Sequence, residues 1–415
     1  MPDKRERKDY SMAELVTGAI AMFLFKEGSR NAFNLDRKEE CFYKNYQRIF
    51  KMNPPHLDST EDIFRVLQPL ELEKLKAIFI SQIIENKVFY RFKFLGKKYQ
   101  IVVDGTGVIS SDTKHCDQCI VKTSKNGVKT YFHSVLEAKL VTSNGFSISL
   151  ASEWIANNEI KYDKQDSEHK AFKRMAVILK NYFPRMAIVI LADGLYPNQH
   201  FFTICEDNNW NFIVTFKDGN LPSVWEEVNL LPVKAKGTME NILPPTKSTE
   251  NKQSYTWCNN IDYQKHIIHW IECNEEIKYV NENKTEITRF VYVTDIEINK
   301  DNAVAIVFAG RLRWKIENEG FNTQKNGEYE LEHKYSRVSF NALKNWYLTL
   351  QLAHLINQLT LLSQDIDDLK KTDSKLTYKH FWKLLKGLLV HTELTDIELF
   401  DPLHKKIQIR LRYHF

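Results

Sequence analysis

The spacing of apolar residues predicts helices over residues 1–90 and short strands after them. Apolar residues first recur at helical intervals behind Ser11, a residue type suited to cap a helix. A second helix is predicted from Glu71 to Val88. Residues 89–95 then have a strand pattern, and a second strand over residues 99–104 ends at an aspartate followed by glycine. The N-terminal region is predicted to be either a small DNA-binding module or a helical cover on the remaining chain.

The middle of the chain has the pattern of an α/β protein. Ala187 to Ala192 form a continuous apolar run of strand length, which is typical of a strand buried on both faces of a sheet. This run leads directly into Asp193. A helix is predicted before it, over residues 166–183, and a helix and a strand after it, over residues 198–209 and 211–217. The alternation predicts an α/β fold with helices beside a mixed sheet.

Prolines and polar residues mark a change of pattern near residue 219, and alternating strands follow up to residue 295. A helix is predicted from Ala303 through Glu317, and a long amphipathic helix from Phe340 to Leu362. The predicted organisation is an N-terminal helical region (1–90), the first part of a core (91–218), a β-rich insertion (219–295), the second part of the core (296–365) and a helical, basic tail with a strand near 406–412 (366–415).

Composition restricts the class of protein only weakly. The chain has 415 residues, a formal net charge of +5 and several basic clusters, which suit a nucleic-acid partner but equally a solvated surface. No run of 18 apolar residues and no signal-peptide pattern is found, so we expect no membrane span. Six cysteines in a chain of this length do not form a disulfide framework, and a cytoplasmic location is expected.

Three acids stand where a sheet could bring them together. Asp104 and Asp193 follow apolar strand patterns, and Glu317 lies on a predicted helix, with separations of 89 and 124 residues. Carboxylates on rigid elements can hold the two divalent cations that phosphodiester chemistry uses. A single aspartate after an apolar run is more often a turn residue or a helix cap, so each acid alone is weak evidence.

Three segments resemble the catalytic motifs of IS4-type transposases, and the resemblance covers roughly residues 95–360. They are Ile101 to Thr106, Ile190 to Tyr196 and Arg311 to Lys325. In the last segment, Arg313 precedes Glu317 by four residues, as in the family. The chain departs from the family pattern at Gln324, where a lysine is expected and Lys325 follows one residue later, and at Gly310, where the family has a tyrosine.

This resemblance implies an RNase H-like fold and cut-and-paste transposition of double-stranded DNA. Asp104, Asp193 and Glu317 would hold two Mg²⁺ or Mn²⁺ ions, and the protein would act as a homodimer on terminal repeats and target DNA, in the cytoplasm with the nucleoid. Water would cut the element end, and the freed 3′-hydroxyl would attack the target. The alternatives are a non-catalytic or domesticated DNA-binding relative, and a related metal-dependent nuclease.

The same resemblance suggests DNA contacts near the third acid. Arg313 and Lys325 would bind phosphates. Their alternative role is a surface charge pair with Glu317 or Glu319. Trp314 would stack on a flipped base, although packing in the core beneath the helix is the preferred interpretation of this residue.

Some alternatives remain for other polar residues. Glu319 competes with Glu317 for the role of third acid, and the spacing from the arginine favours Glu317. Glu153 is either an accessory acid in the cleft or a carboxylate at a helix start. Cys116 and Cys119 form a CxxC motif that would bind a structural zinc ion with one or two histidines such as His133. The preferred alternative is a hairpin with two packed cysteines.

Overall fold

The computed structural model describes residues 9–395 except positions 115, 158–164, 247, 281, 283 and 374. The predicted basic strand near 406–412 lies outside the described residues. The described chain is a mixed α/β protein, in which one ten-stranded sheet carries helices on its faces and an N-terminal helical region packs beside it. The predicted α/β class is therefore confirmed at this level.

The N-terminal region is helical, as predicted. Ser11 caps the first helix, and its side chain and that of Glu14 bond to each other's backbone N–H groups in a capping box. The last helix of the region starts at Pro69, two residues before the predicted start, because proline is well suited to the first helical turn. The helices are α1 (Met12–Leu24), α2 (Arg30–Asp36), α3 (Glu40–Phe50), α4 (Leu57–Val66) and α5 (Pro69–Glu85).

Strands and helices alternate through the rest of the chain. The strands are β1 (Tyr99–Ser111), β2 (Ile120–Thr123), β3 (Lys129–Val141), β4 (Ser147–Ile155), β5 (Ile188–Ala192), β6 (Asn211–Thr215), β7 (Gly237–Leu243), β8 (Thr249–Tyr263), β9 (His266–Tyr279) and β10 (Lys284–Thr294). The helices are α6 (Glu168–Tyr182), α7 (Gln199–Asp207), α8 (Pro222–Leu230), α9 (Ala303–Arg311), α10 (Thr323–Asn326), α11 (Phe340–Leu361), α12 (Gln364–Thr372) and α13 (Tyr378–His391).

The sheet combines antiparallel and parallel pairing. Its strand order is β2-β3-β1-β5-β6-β10-β9-β8-β7, with β4 also paired to β3. The pairs β1–β5 and β5–β6 are parallel, and the other pairs are antiparallel. Because β10 joins β6 directly, the β-rich segment that the sequence predicted as an insertion continues the central sheet instead of forming a separate one.

Two predictions about the first strands are wrong. The segment 89–95 contains a short 3₁₀ turn at Tyr90–Phe92, and only Phe94 makes an isolated bridge, to Lys98. The strand at Tyr99 does not end at Asp104, since β1 runs on to Ser111. The reason is its antiparallel partner: β3 pairs with β1 from Gln100 to Ser111 and gives the glycine-containing part hydrogen-bond partners that a local sequence pattern does not reveal.

The long helix α11 was predicted to be amphipathic, and this is also wrong. Most of its side chains from Ala342 to Gln358 are buried, because α1, α4 and α5 on one side and β4 on the other surround it. Its polar side chains are satisfied internally. Asn345, for example, donates to the carbonyl oxygens of Phe64 and Leu67, at the end of α4.

Among the residues that the structure describes, no helix combines the length and the hydrophobicity that a membrane span requires.

Candidate active site

The strand register brings Asp104 and Asp193 to the same end of the paired strands β1 and β5. In the parallel pair β1–β5, Tyr99 faces Ile188 and Val102 faces Leu191, so each partner lies 89 positions further along the chain. The same offset of 89 carries Asp104 to Asp193, at the carboxyl end of the paired segment. Neighbouring strands lie about 4.8 Å apart. Both acids therefore lie just past the paired segment, at the edge where open α/β sheets bind ligands.

Glu317 is linked to Asp104 through the guanidinium group of Arg313. Arg313 Nη1 lies 2.6 Å from Glu317 Oε1 and 3.6 Å from Asp104 Oδ2. The Arg313 side chain is only 11% exposed, so little water screens these two interactions. Asp104 and Glu317 thus both contact the guanidinium group of Arg313. Asp193 follows β5, the strand that pairs with β1.

The helix predicted from Ala303 through Glu317 is interrupted before the acid. Helix α9 ends at Arg311, and Ile316–Asn322 form a π-helical segment that carries Glu317. π-Helical segments are rare in proteins, and those that occur are often found at functional sites. Glu317 and its rival Glu319 take different partners here, because Glu319 Oε1 lies 2.5 Å from the ammonium group of Lys315 instead of near Arg313.

A further acid, Glu168, was missed by the sequence analysis. It is the first residue of α6, and its carboxylate lies over the backbone of Gly105. A Cβ atom on Gly105 would lie 2.7 Å from Glu168 Oε1, so a larger residue at this position would displace the carboxylate. Tyr196 donates its hydroxyl to Glu168 Oε2 at 3.5 Å. The signal in the sequence was an acid at a helix start, which is too common to single out.

The acids perturb one another electrostatically. Burial raises the pKa of Asp104 to about 7, Arg313 and the Gly105 N–H oppose this shift, and the charges of Glu317 and Glu168 add to it. Burial also raises the pKa of Glu168, and the charge of Asp193 raises it further. Strongly perturbed carboxyl groups that influence one another in this way are typical of functional sites.

Asp193 has a local role as well as this position. Its Oδ1 accepts the N–H of Leu195 at 2.9 Å, which makes it a turn residue at the end of β5. The stem of Lys217 covers the next residue, since a Cβ atom on Gly194 would lie 2.8 Å from Lys217 Cδ. The turn therefore fixes the backbone around Asp193 and brings a cationic side chain close to it.

The carboxylates fit divalent cations by their chemistry and arrangement. Oxygen donors suit Mg²⁺ and Mn²⁺, and the cluster of negative charge around Asp104 would be neutralised by them. Within the described ranges, no three of these acids have ligand oxygens that all lie within 4.8 Å of one another. In this arrangement the Nη1 atom of Arg313 lies between two of the acids, Asp104 and Glu317.

The residues predicted to contact DNA have different environments. Trp314 is 54% exposed, so the preferred prediction that it packs in the core is wrong. Its ring lies 4.8 Å from the Arg313 guanidinium carbon. Lys325 pairs with Glu332 at 2.8 Å. Gln324, at the position where the family has a lysine, is fully buried and bonds to Gln351 and His354.

Glu153 belongs to another part of the sheet. It lies within β4, opposite Leu136 of β3, so the predicted helix start is wrong. Arg174 Nε lies 2.6 Å from its carboxylate, and the same guanidinium binds Asp166 at 2.6 Å. This ion-pair network gives Glu153 a structural role in holding α6 against β4.

A surface cavity of about 410 Å³ lies at the opposite end of the parallel strands. Its lining includes Lys98, before β1, and Asn211, at the start of β6. The acids lie at the other end of these strands, so this cavity has no part in their chemistry. A second polar group, Cys116, Cys119 and His133, has its ligand atoms within 4.8 Å of one another and is separate from the acids.

The resemblance to IS4-type transposases implies metal-dependent DNA cleavage, and on this expectation Arg313→Lys should lower the cleavage rate about tenfold, equivalent to ~1.4 kcal/mol. Lysine keeps the charge but loses the guanidinium group whose Nη1 atom contacts both Asp104 and Glu317. Cleavage of a DNA fragment, followed by gel electrophoresis, measures the effect. Arg311→Lys is the matched control, because Arg311 pairs with Glu275 on β9 at 3.0 Å. Equal losses in the two variants would contradict a specific role for Arg313.

Comparison with known proteins adds no family assignment, because no family model and no curated protein matches the chain.

Proposed function

We propose that the protein is a DNA transposase of the acidic-triad class, which cuts DNA and joins the freed 3′ end to a target. Asp104, Asp193 and Glu317 are its catalytic acids. The observation that carries this proposal is their convergence: Asp104 and Asp193 both follow the paired segment of β1 and β5, whose partners are offset by 89 residues, and Arg313 joins Asp104 to Glu317.

The sheet supports an RNase H-like core for this chemistry. In the order β4-β3-β1-β5-β6, three antiparallel strands adjoin two parallel ones, with Asp104 on the central strand. The third acid follows a long segment that adds four strands to the other edge. This is the organisation that the resemblance to IS4-type transposases implies, and it accounts for acids so distant in sequence.

Asp104, Asp193 and Glu317 would hold two divalent cations. When bound, such ions lower the pKa of the attacking water or hydroxyl and stabilise the leaving oxygen. The chain itself supplies the rigid positions. β1 and β5 fix the two aspartates, and the π-helical segment presents Glu317 across Arg313. Glu168 and Tyr196 share a hydrogen bond, and Tyr196 lies close enough to Asp104 and Asp193 to interact with their charges.

Cationic and aromatic side chains beside the acids suit a DNA strand. Arg313 can bind a phosphate through its guanidinium group, and the stem of Lys217 lies against Gly194, the residue after Asp193. Trp314 is exposed next to Arg313, where its ring can stack on an unpaired base. Lys325 is a weaker candidate than the resemblance implies, because Glu332 already neutralises it.

The test uses DNA fragments that carry the two ends of the element from which the gene comes. Purified protein should cut them only with Mg²⁺ or Mn²⁺, and a pre-cut end with a 3′-hydroxyl should become joined to a target plasmid. Joined products support the transposase. Cleavage without joining would show a related nuclease and would overturn the proposed strand transfer.

One observation favours the alternative of a non-catalytic DNA-binding relative. Gln324 is locked in a buried network and Lys325 is paired, so the family's cation after the third acid has no free equivalent at this position. This alternative expects salt-sensitive DNA binding with no cleavage under any divalent metal. Binding measured by fluorescence anisotropy, beside the cleavage assay, distinguishes the two functions.

A further inference from the structure

Two cysteines and a histidine meet at one end of the sheet, in a group separate from the acids. Cys116 and Cys119 lie in the connection between β1 and β2, and His133 lies on β3. The Cys116 Sγ is 3.5 Å from Cys119 Sγ and 3.1 Å from His133 Nε2, and Cys119 Sγ is 3.7 Å from the same nitrogen. Neither cysteine forms a disulfide bond.

These distances suit three corners of a tetrahedral zinc site. Zinc–sulfur and zinc–nitrogen bonds of about 2.3 and 2.0–2.1 Å place the ligand atoms of a tetrahedron roughly 3.5–3.8 Å apart. The three separations in the protein already lie close to this range without any movement of the backbone. Two thiols and an imidazole are also a ligand set that selects zinc over magnesium or manganese.

The group is rigid and largely shielded from water. Cys119 is 4% exposed and His133 is 1% exposed, while Cys116 is intermediate. The His133 ring stacks on Phe340, the first residue of α11, with ring centroids 3.9 Å apart and an interplanar angle of 13°. Asn157 donates its side-chain amide to the carbonyl oxygen of Cys119 and its backbone amide to that of Gln118. The ligands are therefore held in place from several elements.

We propose that Cys116, Cys119 and His133 bind a structural Zn²⁺ ion. The ion fastens the β1–β2 connection and β3 to the start of α11. Water or a further side chain completes the tetrahedron, and His115, adjacent in sequence, lies outside the described residues. The thiols release their protons when the metal binds. This site does not depend on the proposed function, since it takes a different metal with different ligands.

The test measures zinc directly in the full-length protein. The purified chain should contain one zinc per molecule by inductively coupled plasma mass spectrometry. Cys116→Ser, Cys119→Ser and His133→Asn should each lose it. Cys41→Ser is the control, because Cys41 is another partly exposed free cysteine, on α3, and its replacement should leave the zinc in place.

A cobalt titration makes the test independent of whether the variants fold. Zinc-free, reduced protein should bind one Co²⁺ with the absorption bands of tetrahedral, thiolate-bound cobalt. Cys119→Ser should weaken this binding at least about 100-fold, since even outer partners of metal ligands contribute about 10–100-fold. A chain that contains no zinc and gives no thiolate–cobalt bands would overturn the proposal. So would conversion of the two thiols to a disulfide in air while zinc is present.

Discussion

Replacing Asp104 with asparagine is expected to lower the rate of metal-dependent DNA cleavage about 1,000-fold, equivalent to ~4 kcal/mol in the barrier. Asparagine has the shape of aspartate but lacks the charge, so the central carboxylate of the site is lost while β1 keeps its pairing with β3 and β5. Asp193→Asn and Glu317→Gln should have effects of the same order, since each removes an outer ligand.

The matched control for these variants is Glu319→Gln. Glu319 lies two residues from Glu317 in the same π-helical segment, but its carboxylate pairs with Lys315. Cleavage of end-labelled DNA under single-turnover conditions measures all four rates. The cleavage rate of Glu319→Gln should stay within about threefold of the rate of the unmodified protein, which corresponds to less than ~1 kcal/mol. A large loss in Glu319→Gln with full activity in Glu317→Gln would reverse the assignment of the third acid.

The second large effect concerns folding. Lys76→Met is expected to lower the free energy of unfolding by about 3–5 kcal/mol, because it leaves a buried partner charge uncompensated. Lys76 and Glu73 lie on α5, with side chains 1% and 8% exposed, and are 3.1 Å apart. Lys76 also donates to Ser149 and Ser152 of β4. The pair thus attaches the N-terminal helices to the sheet.

A double variant isolates the cost of the unpaired charge. Lys76→Met combined with Glu73→Gln should recover most of the lost stability, because neither residue then carries a charge. Lys74→Met is the control: Lys74 is half exposed and pairs with Glu71 at 3.3 Å, so its loss should change stability by no more than about 0.5 kcal/mol. Urea denaturation followed by circular dichroism measures all three. A double variant less stable than Lys76→Met would contradict the explanation.

The sequence patterns predicted elements best where local signals and tertiary contacts agree. The apolar run of β5 and the helices α1 and α6 are examples, because the apolar side chains that form each pattern are buried in the fold. The extension of β1 past Asp104 was missed, since glycines in a strand read locally as a turn, and only pairing with β3 makes them part of the sheet.

The buried face of α11 shows another limit of local patterns. An amphipathic helix would keep one polar side in water, but polar side chains of α11 bond to the backbone of neighbouring elements instead. Asn345 donates to the end of α4, and Gln358 donates to Ser147. The sequence alone does not show whether water or another segment of the chain supplies the hydrogen-bond partner of a polar side chain. Such positions become visible only once the packing is known.

For the candidate site, the sequence named three acids, but only the structure relates them in space. The offset of 89 residues between Asp104 and Asp193 is a sequence number whose meaning depends on the β1–β5 register. Glu168 could not be found from the sequence, because its place over Gly105 depends on how α6 packs against the sheet. Trp314 was misjudged since the break between α9 and the π-helical segment turns it outward.

The central claim is that Asp104, Asp193 and Glu317 together hold divalent metal. Anomalous diffraction from crystals of the unmodified protein soaked in Mn²⁺ tests it most directly. The predicted result is Mn²⁺ bound to Asp104, with Asp193 and Glu317 as the other protein ligands and, at full occupancy, two ions about 3.5–4 Å apart. Absence of Mn²⁺ at Asp104 at saturating concentration, with Glu317 still paired to Arg313, would contradict the claim.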